Sequence, residues 1–196
     1  MGTRGLYGIR KGQKDKLTYN HFDSYPSGLG KDVLRFLHNG LHGLYDLDAF
    51  FDKIKLVDIS SVPDEQAIDW SIKHGFYVSN VSNQSTQDWY CLLRGLQGNF
   101  EAYEQLASTD DVIYMSDDSD FIKASLFCEY AYIINLDENV LEFWKGYQHE
   151  AQEGNRYGNE PDKKGYYPCA LRLKIPFDRV RNASAAEIQN IVDEMH

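Results

Sequence analysis

Cys128-Glu129-Tyr130-Ala131-Tyr132-Ile133-Ile134-Asn135-Leu136, Asp137-Glu138-Asn139 and Val140-Leu141-Glu142-Phe143-Trp144 follow one another without a break. Two runs rich in β-branched and aromatic residues enclose a three-residue polar turn, the strongest hairpin signal in the chain. A second pair of such runs opens the sequence: residues 6–10 and 16–20 flank the polar Lys11-Gly12-Gln13-Lys14-Asp15. Residues 170–176 alternate again, and Pro176, which has no N–H to give a ladder, ends that run. Five strands are therefore expected, four of them in hairpins.

The middle of the chain reads as helical. Leu29, Val33, Phe36, Leu37 and Leu41 recur with helical spacing, Asp32 suits the positive first turn, and Gly40 is the expected stop. Leu47, Phe50, Phe51 and Ile54 form another stripe, followed by a short strand over 56–59. Pro63-Asp64-Glu65 has the signature of a helix start, with Gly75 as its end. A polar loop is expected over 79–85. Ser85 or Thr86 then caps a helix through Trp89 and Arg94, and Asn99 caps one through Tyr103 and Leu106, with Gly95 and Gly98 at the join. Residues 147–166 read as a long loop and 183–196 as a terminal helix. The expectation is a single α+β domain over 1–196: an antiparallel sheet from the N-terminal and C-terminal hairpins, with helices packed mainly on one face.

Composition narrows the function. In 196 residues, 42% hydrophobic and 14% aromatic side chains suffice for a buried core. A net charge of −10 argues against wrapping a nucleic-acid backbone, which needs clustered Lys and Arg. It leaves a small anionic ligand in a locally basic pocket, or a protein partner met by an acidic face. No apolar run reaches the length of a membrane span, and the opening lacks the apolar stretch of a signal peptide. Cys91, Cys128 and Cys169 are odd in number and far apart, as expected of buried thiols in a reducing compartment. The expected location is cytoplasmic, with no cofactor.

Candidate chemistry concentrates between the first hairpin and its helix, in residues 18–31. Ser27-Gly28-Leu29-Gly30-Lys31 opens a helix, where unpaired backbone N–H groups attract anions and Gly permits close approach. A Walker spacing is absent. The ligand-binding set expected here is Thr3, Arg4, Asn20, Ser24, Tyr25, Gly28 and Gly30, with Arg94 and Gln97 facing the same cleft; the alternative is a structural turn in which Asp23 and Ser24 satisfy local N–H groups. His21 and Asp23 are the catalytic candidates, since a carboxylate can orient an imidazole. On one strand they share a face while Ser24 points away, so these three alone make no triad. Asp117, Asp118 and Asp120 lack EF-hand spacing and read as a helix start, with no metal expected.

The opening Met1-Gly2-Thr3-Arg4-Gly5 and the stretch Tyr19-Asn20-His21-Phe22-Asp23-Ser24-Tyr25-Pro26-Ser27-Gly28-Leu29-Gly30 resemble a family found in phage, bacterial and fungal sequences. Asp88-Trp89-Tyr90, residues 93–99, 129–132 and 135–137 extend the likeness over most of residues 1–146. The resemblance implies a phage or bacterial origin and carries no activity with it; were the source a phage, sequestering or degrading a host signalling nucleotide would be a natural accessory use. The opening is also similar to the strand–strand–helix entry of N-terminal-nucleophile hydrolases. Those expose Cys, Ser or Thr as the first residue, whereas loss of Met1 here exposes Gly2. The leading expectation is binding, with or without hydrolysis, of a small anionic nucleotide-like ligand. The alternatives are an acidic protein-interaction (inhibitor) module and a hydrolase of the N-terminal-nucleophile type.

Overall fold

The computed structural model describes residues 2–79 and 85–196; most of the polar loop expected over 79–85 lies outside them. The chain opens with β1 (Gly5–Lys11) and β2 (Lys14–Asn20), joined by Gly12 and Gln13. A tight helical turn (Pro26–Gly30) leads into α1 (Lys31–Leu41). Then come α2 (Leu47–Lys53), β3 (Ile54–Val57), α3 (Glu65–Lys73), α4 (Trp89–Leu92), α5 (Phe100–Ala107) and β4 (Ile113–Ser116). A helical turn at Ser119–Lys123 precedes β5 (Tyr130–Asn135) and β6 (Val140–Lys145); β7 (Ala170–Pro176), α6 (Phe177–Arg181) and α7 (Ala185–Glu194) complete the chain.

The α+β class stands, and both hairpins are antiparallel, but the sheet they build is mixed. Its order is β2-β1-β5-β6-β7, and β1 runs parallel to β5 from Gly5↔Tyr130 to Arg10↔Asn135. The hairpin signals specify pairing inside each hairpin and say nothing of how the two dock. A parallel join needs a long crossover, and the helical middle of the chain supplies it. β3 and β4 form a second, two-stranded parallel pair. The two hairpin turns are tied together: both oxygens of Asp137 accept, from Gly12 N at 2.7 Å and Gln13 N at 2.8 Å.

Strand alternation divides the core between the faces of the large sheet. Tyr7, Ile9, Tyr132, Ile134, Leu141, Phe143 and Ile175 are buried in one cluster with Val33, Leu34, Phe36 and Leu37 of α1, Phe100 and Tyr103 of α5, and Ile191 and Val192 of α7. Leu6, Leu17, Ala131, Ile133 and Trp144 belong to the other, with Ile122, Cys128 and Cys169. Among the described residues that second face carries no long helix. Phe121 and Tyr157, from the 119–123 turn and the loop between β6 and β7, pack against it instead.

Local signals fix most helix ends. Asp46, Asp64, Asn99 and Ser184 each accept a first-turn N–H, as capping residues do. Three expectations need correction. α1 continues through Gly40 and turns out only at Gly43, because Gly40 lies against Leu47 and Tyr45 where a side chain would not fit. Asp88, not Ser85 or Thr86, caps α4, its Oδ1 accepting Tyr90 N at 2.7 Å. α6 was not expected; it is a single turn that follows directly from Pro176. Among the described residues no helix is long and apolar enough to cross a membrane.

Candidate functional site

The 20–31 loop is held largely by its own atoms. The Asp23 carbonyl accepts Leu29 N at 2.9 Å, and the Tyr25 carbonyl accepts Gly28 N at 3.0 Å and Gly30 N at 3.5 Å. The glycine N–H groups expected to cradle an anion are thus engaged within the turn. Gly30 sits so close to the buried Tyr132 ring that a Cβ would lie 2.8 Å from it. Buried Ser24 donates its N–H to Thr3 O at 3.2 Å, accepts Tyr132 OH on its carbonyl at 3.0 Å, and receives Asn20 Nδ2 on its hydroxyl at 2.8 Å. Arg4 is drawn elsewhere: its N–H donates to Glu129 Oε1 at 3.2 Å and its guanidinium lies 4.9 Å over the Phe127 ring. Tyr25 is exposed.

His21 and Asp23 are not joined. The imidazole Nδ1 lies 3.1 Å from Tyr19 OH and the ring meets Phe22 edge-on at 4.2 Å. Among the described residues the Asp23 carboxylate makes no hydrogen bond; this residue instead turns the backbone, at φ +53°. The two catalytic candidates therefore form no acid–base pair in this geometry.

Four of the sequence candidates do meet at one place. Asn20, His21, Arg94 and Gln97, with Phe22 and Gly98, line a hollow of about 310 Å³ at the end of β2. The segment after α4 forms its far wall. Gly95 N donates to Phe76 O at 2.8 Å, Gln97 N to Leu93 O at 2.9 Å, and Gly98 N to Tyr7 OH at 2.8 Å. Gly98 adopts φ +72° and lies where a Cβ would be 2.7 Å from Asn20 Oδ1, so only glycine brings this wall so near the strand. Beneath it Tyr7 and Tyr103 share a hydroxyl–hydroxyl bond of 2.9 Å, and burial pushes the Tyr7 hydroxyl up to about 12.

Two of the side chains facing the hollow, Arg94 and Gln97, are uncommitted, whereas Asn20 and His21 are bonded to their own neighbours. The Arg94 guanidinium lies 5.4 Å over the Tyr90 ring. Among the described residues it makes no ion pair, and neither it nor the Gln97 amide makes a side-chain hydrogen bond. Phe22 is 53% exposed. A water-sized cavity of about 20 Å³ adjoins, sharing Gln97 and lined also by Thr18, Tyr90 and Ser116. Behind it Ser116 Oγ donates to Asp118 Oδ2 at 2.6 Å and bonds Thr18 Oγ1 at 2.8 Å. Asp118 also accepts Tyr19 N, while Asp117 binds Ser119 and Asp120 binds Lys123, so these aspartates act separately.

A second polar cluster, absent from the sequence reading, lies at the opposite end of the strands on the sheet's other face. Glu142, fully buried on β6, accepts Arg156 NH1 at 2.8 Å and NH2 at 2.6 Å, Asn135 Nδ2 at 2.7 Å and Trp144 Nε1 at 2.8 Å. Asp15 accepts Arg10 at 3.0 Å and Tyr157 OH at 3.1 Å. Burial pushes the Glu142 carboxyl up, but hydrogen bonds and charge from Arg156, with Asn135 and Trp144, outweigh that and hold it below the ordinary glutamate value. A glutamate between Leu141 and Phe143 was the available signal; its partner Arg156 sits in a loop with no periodicity to mark it. Within this cluster the Glu142 carboxylate is fully engaged, while among the described residues the buried Asp15 Oδ1 has no hydrogen-bond partner.

No family model matches the chain, and no curated protein or solved structure matches it. The functional reading therefore rests on the site itself.

Proposed function

We propose that the hollow between the end of β2 and the segment after α4 binds a small anionic, nucleotide-like ligand. One observation carries the reading: Arg94 and Gln97 converge on the hollow with no side-chain hydrogen bond or ion pair to a described residue, beside a Phe22 ring left more than half exposed. A guanidinium presents a planar fork of donors matched to phosphate or carboxylate. An amide adds a donor and an acceptor, and an exposed ring offers a face to a heteroaromatic base. Among the lining side chains the His21 imidazole is the one whose chemistry suits general acid–base work, and His21→Ala separates binding from turnover.

Thermal unfolding across a panel of nucleotides tests the reading. A ligand at about 100 times its Kd raises stability by roughly 2.7 kcal/mol. That shift is expected for at least one nucleotide, and Arg94→Ala is expected to remove it. A midpoint unmoved by every member of the panel refutes the proposal.

A further inference from the structure

We infer that the occupant is a nucleoside monophosphate, linear or cyclic, with its single phosphate on Arg94 and Gln97 and its base against Phe22. The inference rests on the anion-binding reading above and narrows it by charge, room and shape. Arg94 is the sole full cation among the six lining residues, and no carboxylate stands among them to hold a divalent ion. Polyphosphate chains are held by several cations, commonly Lys with Mg²⁺, or by a run of backbone N–H groups. Here the N–H groups of Gly28 and Gly30, the glycine-rich turn after β2, are occupied by the Tyr25 carbonyl. A net charge of −10 makes each further unpaired phosphate costlier to bring in. The space agrees: about 310 Å³ stands at the lower end of the range for small-molecule sites, roughly 300–1,000 Å³.

Phe22 argues for the base. Its ring is braced: the His21 and Phe22 rings meet in a T at 4.2 Å with planes at 89°, and the Gly2 backbone lies so close that a Cβ there would be 2.4 Å from Phe22 Cδ1. Asn20 Nδ2 donates to the Phe22 carbonyl, fixing the backbone that carries the ring. An aromatic side chain so fixed, yet exposed, is a ready stacking platform, and stacking tolerates any base.

Calorimetric titration of the full chain with nucleoside 5′-monophosphates, 3′,5′-cyclic monophosphates, the matching di- and triphosphates, the free nucleosides and inorganic phosphate decides the matter. Monophosphates are expected to bind at least about tenfold tighter than either the nucleoside or inorganic phosphate, with nothing gained from added phosphates. Phe22→Ala is expected to weaken monophosphate binding about tenfold and leave inorganic phosphate unchanged. Tighter binding of di- or triphosphates by tenfold or more, or a Phe22→Ala variant with unaltered monophosphate affinity, overturns this inference and leaves the anion site standing. Absence of binding by every compound, or an Arg94→Ala variant that binds like the parent, sinks the site and this inference together.

Discussion

Two arginines define the contrast in this molecule. Arg156 reaches from the loop between β6 and β7 onto the sheet, where both its terminal nitrogens are bonded to a fully buried carboxylate and its guanidinium lies 4.7 Å over the Trp144 ring. Arg94 lies at the other end of the strands over a tyrosine ring, facing a hollow with no acidic partner among the described residues. The residue type is the same in both places. In the first its donors are used up holding a long loop to a face that, among the described residues, no long helix covers; in the second they remain available. Donors that a concave surface leaves unspent are the ones a ligand can use, and a guanidinium is suited to an anion.

The largest effect expected from breaking this contrast is at Arg156. Arg156→Ala leaves Glu142 buried beside an apolar core with only Asn135 and Trp144 as donors, and removal of one partner of a buried pair costs about 3–5 kcal/mol. Equilibrium urea unfolding should show that loss, and limited proteolysis should find the 147–169 loop opened. A loss below 1 kcal/mol would mean that the pair is incidental to the fold. Replacing Glu142 and Arg156 together by apolar residues of similar volume is expected to recover most of the stability, because the isolated charge and not the missing bond is what costs.

Next comes the turn. Gly30→Ala places a Cβ within 2.8 Å of Tyr132, a ring buried in the main core and bonded to Ser24 O, so overpacking of about 1–3 kcal/mol is expected. Thermal unfolding measures it. An unaffected midpoint would show that the turn yields, and that its glycines are not there for close packing.

Acid pH gives a smaller, directional test of the same cluster. The Glu142 carboxyl is held below its ordinary value of 4.5 in the folded chain. A depressed carboxyl contributes stability that is fully present above the ordinary value and is lost as pH falls through the lower, folded value. Stability of the parent should therefore drop more steeply below about pH 4.5 than that of Glu142→Gln, which has no such proton to take up. Parallel acid limbs for the two proteins would contradict the assignment.

These features were unequally legible in the chain. Alternation exposed every strand of the large sheet, and Asp64 and Asn99 marked their helix starts, because those signals are local. The parallel union of β1 with β5 was not legible, since it depends on how two hairpins far apart in sequence pack against common helices. Neither was Glu142: within Val140-Leu141-Glu142-Phe143-Trp144 it occupies what alternation makes an outward position, and only the returning loop buries it. Residues 18–31 drew notice for their Gly, Ser and Asp content, yet in the structure most of that polarity serves the turn. Arg94 and Gln97 entered only as polar residues following Trp89-Tyr90, and their convergence on Asn20 and His21 is a tertiary fact.

The smallest stability effect is expected where the functional effect is greatest. Arg94→Ala removes a half-buried side chain with no ion pair or hydrogen bond to a described residue, leaving only its contact with the Tyr90 ring to lose. A cation over a ring at such a site is worth about 0.5–1 kcal/mol, and a surface substitution away from special features usually falls within about 0.5 kcal/mol. The variant should thus unfold within about 1 kcal/mol of the parent while losing its ligand-induced shift altogether. A large drop in stability would place Arg94 with Arg156, as a side chain spent on the fold, and the hollow would then be a surface irregularity with no claim on a ligand.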